Sequence, residues 1–417
     1  MTTTVEPNLT SLDFWARPQD ERDALFAELR ATREPVYCPL PDGTGFYALT
    51  RHEQVVEASR HPEIFSSQPT AVSLVDPPPG LREYSGSMIS LDDPRHARLR
   101  RIVSRAFTPR MIERFADDVR ALATSIVDDL ADRGPCDFVT HVAMPMPLQI
   151  ICSMMGIPDS EYDGVIEATN AILAVGDPEF VGLDGRDRTT MLRESFSFLH
   201  ELMAELGRLR RAEPTDDLVT ALLHANVDGE ALTDVELGRF FALLVVAGNE
   251  TTRNALSHAL ALFTANPSQR DLLLSALEER LPGAVEEVVR YATPVTWMRR
   301  TLTRDHELSG HIYEANERVI LYYVSANRDE EVFHDPNRFD ISRSPNPHVG
   351  FGAPGPHFCL GAHLARREVT VLLRELFTRF PDIHATAEPV RQRASFINGI
   401  RSLPCDSEVI PRTGFYF

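Results

Sequence analysis

The chain contains no lysine: all 42 of its basic residues are arginine, and they face 61 aspartate and glutamate residues, for a formal charge of −19. The absence of lysine excludes a Schiff-base lysine and the lysine of a P-loop. The acidic balance argues against binding along a phosphate backbone. We therefore expect no nucleic-acid partner.

Long apolar runs and a secretory leader are also missing. No segment approaches the roughly 18 uninterrupted apolar residues of a membrane-spanning helix. The N-terminal stretch MTTTVEPNLTSLDFW has neither the basic nor the apolar region of a signal peptide. We expect a cytoplasmic protein without a transmembrane segment.

Cysteine is scarce, with five residues and no CxxC pair, so neither a disulfide framework nor a structural zinc site is predicted. No internal repeat or Gly/Ser linker marks a domain boundary. We expect residues 1–417 to form one domain in which an α-rich part and a smaller β-rich part interlock. Four of the cysteines are interpreted as small buried hydrophobes, namely Cys38, Cys136, Cys152 and Cys405.

Helical periodicity dominates most of the chain. The longest predicted helix begins at a capping box of Thr233 and Glu236 and stops at Asn266-Pro267. After Arg290 the pattern changes to short alternating runs with turns, which predict a small antiparallel sheet. The long stretch 66–92 is predicted to be an irregular loop, and loops of that length are usually functional.

The fifth cysteine, Cys359, lies where a glycine-rich loop meets a helix, in HVGFGAPGPHFCLGAHLARRE (348–368). A helix N-terminus favours the thiolate, which acts as a nucleophile or a metal ligand. A nucleophile needs a general base, and His357 on an extended loop would point elsewhere. An iron–sulfur site needs more cysteines, so a single axial thiolate on haem iron remains.

A second unusual stretch is AGNETT (247–252), which interrupts the apolar run of the long helix. Such polar groups are costly inside a buried helix unless they are satisfied. They indicate either a hydrated kink or a groove for dioxygen and water. In the second case Gly248 would leave room for O2, and Thr251 and Glu250 could relay protons to the distal oxygen.

The loop around Cys359 resembles the haem-binding loop of the cytochrome P450 superfamily, in its bacterial class I form: Gly355, His357, Cys359 and Gly361 match. Phe351 departs from the pattern, because it lies eight residues before the cysteine instead of seven. The resemblance implies a triangular prism, mainly α with small antiparallel β-sheets. It also implies haem b between the long central helix and the loop, with Cys359 as iron ligand.

Further roles follow from the same resemblance. Glu250 and Thr251 would be catalytic, and Ala247, Gly248 and Phe351 would contact the haem. The ExxR pair Glu287 and Arg290 would be structural, with Arg338 as the partner arginine. The predicted contacts of the haem propionates are cationic or hydrogen-bonding, namely His96, Arg100, Arg300 and His357.

The predicted substrate pocket is apolar and lacks a charged anchor, which favours a lipid-like substrate. Its predicted lining comprises Met88, Ile89, Val245, Ala247, Val295, Trp297 and Phe396. Segments such as GSMISLDDPRHARLRRIVSRAFTPR and LLVVAGNETTRNA resemble most closely actinobacterial enzymes that hydroxylate methyl-branched lipids and sterol side chains at the terminal carbon. Two alternatives stay open. One is oxidation of a compact terpenoid, steroid or polyketide, and the other is a non-catalytic haem-thiolate sensor or ligand carrier.

The resemblance also implies partners. Oxygen is a co-substrate, and electrons would come from a separate ferredoxin and an NAD(P)H ferredoxin reductase, because no flavin or nicotinamide module is fused to the chain. A basic surface for an acidic ferredoxin is predicted from five arginines, namely Arg98, Arg101, Arg105, Arg366 and Arg367.

Overall fold

The computed structural model describes residues 9–76, 86–107, 109–173, 188–227 and 229–407. Helices dominate these residues, as the periodicity predicts. No described helix has the length and apolar character needed to cross a membrane. In chain order the helices are α1 (Leu12–Trp15), α2 (Gln19–Thr32), α3 (His52–Arg60), α4 (Arg95–Ala106), α5 (Pro109–Arg114), α6 (Ala116–Arg133), α7 (Pro145–Met155), α8 (Tyr162–Leu173), α9 (Arg188–Ala212), α10 (Leu218–His224), α11 (Asp234–Ala265), α12 (Pro267–Ser275), α13 (Leu277–Ala292), α14 (Tyr323–Ala326) and α15 (Ala362–Arg379).

The strands are short. They are β1 (Val36–Pro39), β2 (Gly45–Leu49), β3 (Phe65–Ser66), β4 (Cys136–Asp137), β5 (Trp297–Leu302), β6 (His306–Leu308), β7 (His311–Tyr313), β8 (Arg318–Tyr322), β9 (His384–Ala385), β10 (Val390–Arg391), β11 (Ile400–Ser402) and β12 (Pro404–Asp406).

The largest sheet has the strand order β1-β2-β8-β5-β3. Its β5–β8 pairing and the separate β6–β7 pair are antiparallel, so the sheet predicted after Arg290 is confirmed. The β2–β8 pair is parallel, with Leu49 opposite Leu321. Local alternation could not predict this pair, because its two strands are far apart in the chain.

The long helix α11 confirms the predicted start and stop. The Thr233 hydroxyl accepts from the Glu236 N–H at 3.2 Å, and the Glu236 carboxylate accepts from the Thr233 N–H at 2.9 Å. The helix ends just before Pro267, where α12 begins. Its 32 residues span about 48 Å, and it packs against α7, α9, α13 and α15. The helix therefore crosses the helical core and places its middle turns inside the protein.

The predicted loop 66–92 is partly visible, since residues 77–85 lie outside the described residues. A 3₁₀ turn, Met88–Ser90, interrupts it. Asp92 ties its two ends together, because its carboxylate accepts the Ser67 N–H at 2.8 Å. Arg299 of β5 holds the middle through Asp76, at 2.7 Å.

Candidate active site

A cavity of about 250 Å³ lies between α11 and the loop that precedes α15. Its walls come from α11, from the loop that contains Cys359, and from α4, α13 and β5. Of the predicted site residues, the cavity is lined by Met88, Ile89, His96, Arg100, Ala247, Gly248, Thr251, Val295, Arg300, Phe351, His357 and Cys359. The fold therefore brings together residues that are up to 271 positions apart, from Met88 to Cys359.

The loop before Cys359 is held by its own backbone and by α3. The Cys359 N–H donates to the Phe351 carbonyl at 2.9 Å, which closes the turn despite the additional residue between them. Gly352 has a φ of +84°, a conformation that favours glycine. A Cβ on Gly355 would lie 2.1 Å from the Ser59 carbonyl oxygen, so glycine there is required by close packing on α3.

Cys359 lines the cavity, where its side chain is exposed. Burial raises the pKa of its thiol, against the opposing effects of the Gly361 N–H and of the cations Arg100 and Arg366. The sequence analysis expected the Cys359 thiol to lose its proton easily, because it considered only the effect of the helix N-terminus. Within the protein alone, burial has a larger effect on this pKa than the N–H group and the two cations have. A cation bound at the sulfur would therefore be needed to stabilise the thiolate fully.

A cationic corner, formed by His96, Arg100, Arg300 and His357, lines one end of the cavity. The two imidazole rings lie with their centroids 4.1 Å apart. His357 meets the Ser67 hydroxyl at 3.1 Å, whereas the buried Nε2 of His96 has no hydrogen-bond partner among the described residues. Burial, followed by the nearby Arg300 charge, lowers the pKa of His357 to about 2.

The two arginines of this corner form their hydrogen bonds, as far as the chain is described, with backbone carbonyls. Arg300 is 4% exposed and donates to the Arg299 carbonyl at 2.7 Å, while Arg100 donates to the Phe358 carbonyl at 2.6 Å. No carboxylate within the described ranges forms an ion pair with either guanidinium. Two buried or half-buried cations without a counter-ion favour an anionic ligand.

These features fit the haem that the sequence predicts. One thiol faces the cavity, and a Cβ at the neighbouring Gly361 would meet no protein atom within 4 Å, so there is open space beside the sulfur. The unpartnered His96 Nε2 and the two arginines lie where carboxylates would be bound. The donor set therefore suits a flat metal macrocycle with acidic side chains.

The middle of α11 forms the wall opposite the loop. Ala247, Gly248 and Thr251 line the cavity, and the Thr251 hydroxyl donates to the Ala247 carbonyl at 2.7 Å. Gly248 has a second reason to be small, because a Cβ there would lie 2.6 Å from the Ile151 Cδ1 of α7.

Glu250 is placed differently from the prediction. It is 2% exposed and does not line the cavity; its carboxylate is bound by Arg253 and by the Asn254 amide, the latter at 2.9 Å. The residues of α11 that line the cavity recur three and four positions apart and form one stripe of the helix, and Glu250 lies beside that stripe. A proton path through Glu250 would require its carboxylate to leave Arg253 and Asn254 and turn toward the cavity.

The ExxR pair is completely buried. Arg290 donates twice to Glu287 at 2.8 Å and also to the carbonyls of Asn327 and Pro336, both at 2.8 Å. The predicted partner Arg338 is wrong in one respect, because it contributes its carbonyl at 3.1 Å and not its side chain. The guanidinium that reaches Glu287 is that of Arg343, at 3.3 Å.

Three of the predicted pocket residues do not line the cavity. Val245 is fully buried on another face of α11. Trp297 and Phe396 pack edge to face, with ring centroids 4.9 Å apart, on the side of β5 that faces α1 and α2. Strand alternation explains this, because Met298, the next residue, is the one that faces the cavity.

Several lining residues were missed by the sequence-based interpretation. On α11 they are Phe240, Leu243, Leu244, Thr252 and Ala255, and elsewhere they include Ala71, Phe107, Met298, Tyr323 and Glu368. The five residues on α11 lie on the same face of the helix as Ala247, at helical spacing before and after it. Extending the periodic pattern from Ala247 in both directions would have predicted these five residues. Glu368 is notable, because burial raises its pKa to about 8 and its Oε1 has no partner within the described part of the chain.

The arginines predicted to form a basic surface are largely neutralised by acidic neighbours. Arg98 pairs with Glu230 and Glu236, both at 2.7 Å. Arg367 pairs with Glu113 at 2.6 Å. Arg366 pairs with Glu286 at 2.5 Å. A helix rich in arginine thus carries less net charge than the sequence alone suggests.

Comparisons with known proteins agree with this arrangement. The Cytochrome P450 family model matches residues 7–393. A methyl-branched lipid omega-hydroxylase of Mycobacterium tuberculosis is 48% identical over 412 residues, which cover 95% of this chain and 93% of that protein. A steroid C26-monooxygenase of Mycolicibacterium smegmatis is 39% identical over 390 residues, which cover 91% and 89%. The solved structure of Mycobacterium marinum cytochrome P450 CYP268A2 in complex with pseudoionone matches with a TM-score of 0.89 at 43% identity, over 95% of this chain and 97% of that one.

Proposed function

Because this chain belongs to the cytochrome P450 family, we propose that it hydroxylates the terminal carbon of a methyl-branched, isoprenoid or fatty-acyl lipid. Family membership makes it a haem-dependent monooxygenase that uses O2 on a hydrophobic substrate. When bound, the haem iron supplies the oxidising chemistry, and one atom of O2 enters a C–H bond of the substrate.

The proposed haem is haem b, held without a covalent link. The sequence contains no C-x-x-C-H motif, through which haem is attached to cysteines. We assign Cys359 as the axial ligand and the cationic corner as the site of the propionates. The supporting observation is that, among the described residues, Arg100 and Arg300 form no ion pair and the His96 Nε2 has no partner, although the His96 Nδ1 lies 3.6 Å from the Asp93 carboxylate.

Thr251 is proposed to hold and deliver a proton at the α11 wall of the cavity, where O2 would be bound. Its hydroxyl is anchored on the Ala247 carbonyl at 2.7 Å, which orients its own oxygen as an acceptor toward the cavity. Thr252 lines the same wall and offers a second hydroxyl. Glu250, which is bound by Arg253 and Asn254, would supply protons to these two hydroxyls.

The substrate assignment is carried by one observation, the 48% identity with the lipid omega-hydroxylase over nearly the whole chain. The cavity supports it. The wall above the cysteine is apolar, and its members are Met88, Ile89, Phe107, Phe240, Leu243, Leu244, Val295 and Met298. Such a wall binds a hydrocarbon chain through apolar contact and provides no charge to hold a polar group near the oxygen.

Electrons are proposed to come from a separate ferredoxin and an NAD(P)H ferredoxin reductase, and the reaction is proposed to take place in the cytoplasm. The ferredoxin would have to meet arginines that already have acidic partners, so its own acidic groups would compete for them.

The test is incubation of the purified holoenzyme with ferredoxin, reductase and NAD(P)H. The substrates are a methyl-branched fatty acid, its straight-chain isomer, a sterol with an intact side chain and a compact terpenoid. We expect the terminal alcohol of the branched lipid as the main product, identified by mass spectrometry.

Each other result contradicts the assignment in a distinct way. Hydroxylation only within the chain would refute the terminal position. A preference for the sterol side chain would favour the second candidate, which the 39% identity with the steroid C26-monooxygenase supports. Oxygen consumption without product on any substrate would favour a sensor or ligand carrier.

A further inference from the structure

Glu286 connects three parts of the molecule beneath the cysteine loop. It lies on α13 beside the ExxR glutamate and accepts hydrogen bonds from Arg366 of α15 at 2.5 and 2.9 Å. It also accepts from the His348 Nε2 at 2.9 Å. Burial would raise the pKa of Glu286, but the hydrogen bonds from Arg366 and His348 outweigh it and hold the pKa at about 2. The carboxylate is therefore ionised at any working pH.

Both partners of Glu286 continue to the cysteine loop. The His348 side chain is 3% exposed, and its Nδ1 accepts the Gly350 N–H at 3.1 Å, which fixes the tautomer with the proton on Nε2. The Arg366 guanidinium lies 4.3 Å from the centroid of the Phe351 ring, within cation–π distance. The carbonyl of the same Phe351 receives the Cys359 N–H.

The charge of Arg366 also acts on the cysteine directly. Arg366 is one of the two cations whose charge is felt at the Cys359 sulfur, and the interaction is reciprocal. Glu286 forms an ion pair with Arg366 and so partly cancels that charge. An electron added to an iron bound by this sulfur is stabilised by a nearby positive charge and destabilised by a negative one.

We propose that Glu286 and Arg366 are positioning residues that act as a charge pair to set the reduction potential of the haem, while Glu286 and His348 hold the cysteine loop. The proposal rests on the proposed ligation of iron by Cys359. It assigns opposite effects to the two members of the pair. Arg366 favours the ferrous form, and Glu286 opposes it.

The test is spectroelectrochemical titration of the holoenzyme with small-molecule mediators, without ferredoxin, so that a change in partner docking has no influence. Arg366→Gln should lower the reduction potential, because the unpaired Glu286 carboxylate remains. Glu286→Gln should raise it by a smaller amount, because the charge of Arg366, and not that of Glu286, is among those felt at the sulfur. The double variant should have a potential between that of Arg366→Gln and that of the wild type.

Matched controls come from the same two helices. Glu278 of α13 and Arg374 of α15 form a pair at 2.6 Å, with side chains 69% and 37% exposed. Glu278→Gln and Arg374→Gln should leave the potential unchanged. Arg366→Lys, which keeps the charge, should shift the potential less than Arg366→Gln.

Shifts of the same sign in both single variants, or no shift in either, would overturn the proposal. If a single variant loses its haem, the double variant decides between the explanations. It contains no uncompensated charge and should therefore retain haem. Loss of haem in the double variant as well would overturn the proposal that the charge pair acts on the haem. If the wild type itself lacks the red-shifted carbon monoxide spectrum of a thiolate, the ligation by Cys359 has failed instead.

Discussion

Replacing Arg290 with methionine removes the central cation of the buried ExxR network while it keeps most of the apolar volume. In the structure Arg290 and Glu287 are both 0% exposed. The substitution leaves the Glu287 carboxylate buried, with the Asp340 N–H at 2.9 Å, the Asn346 amide at 3.1 Å and one cation, Arg343 at 3.3 Å, as its partners among the described residues. It also removes the donor of three carbonyls, those of Asn327, Pro336 and Arg338.

Breaking a buried ion pair by removing one partner costs about 3–5 kcal/mol. That is a large part of the roughly 5–15 kcal/mol by which a protein is stable. With a urea dependence of about 3 kcal/mol per M, the midpoint of unfolding should fall by ~1–2 M. We expect Arg290→Met to yield little protein that retains haem.

The assay is urea unfolding followed by far-UV circular dichroism, with haem content measured on the same samples. Arg374→Met is the control, because it breaks an exposed helix–helix ion pair worth at most about 1 kcal/mol. A midpoint within error of the wild type, with slower turnover as the sole change in Arg290→Met, would refute the structural role.

Results are expected for three further variants, one of them with a matched control. Thr251→Ala should retain haem but lower product formed per O2 by ~10-fold or more and raise peroxide release, because the hydroxyl that we propose to deliver the proton is lost. Leu244→Phe, which adds bulk to the cavity wall, should weaken lipid binding by about 10-fold. Val245→Ala, one residue along but outside the cavity, should leave binding unchanged and lower the stability by ~1–3 kcal/mol. Glu368→Gln should gain stability relative to the wild type as pH rises from 5 to 8. The folded protein keeps the Glu368 proton up to a pKa of about 8, whereas the unfolded chain releases it near its ordinary value, at a cost on the order of 1.4 kcal/mol per pKa unit.

Each of these has a clear contrary outcome. Unchanged coupling in Thr251→Ala, measured as product and peroxide per NAD(P)H consumed, would remove Thr251 from proton delivery. Spectral titration with a lipid that showed equal affinity in Leu244→Phe and the wild type would mean that the substrate lies elsewhere. A pH-independent stability difference for Glu368→Gln would mean that this carboxyl titrates normally in the folded protein.

Features specified by local chemistry could be predicted from the sequence. The capping box at Thr233 and the proline at 267 set the ends of α11, and the glycines around Cys359 marked the loop. The residues at the cavity were predicted where a motif fixed their spacing. Side-chain direction could be misjudged by one residue on a strand, as with Trp297 instead of Met298.

Contacts between distant segments could not be predicted in the same way. The partner of Glu287 proved to be Arg343 and not Arg338, because the turn that carries both arginines decides which side chain points inward. Glu250 lies behind the cavity wall for a similar reason, since its local partners Arg253 and Asn254 satisfy it within the helix. The burial that raises the pKa of the Cys359 thiol depends on the complete fold.

The central claim is that Cys359 binds the haem iron through its sulfur. The most direct measurement is the Soret band of the reduced protein with carbon monoxide, for the wild type and for Cys359→His. We predict a strongly red-shifted band in the wild type and a band typical of histidine-ligated haem in the variant. A histidine-type band in the wild type, or a red-shifted band that persists in Cys359→His, would contradict the assignment.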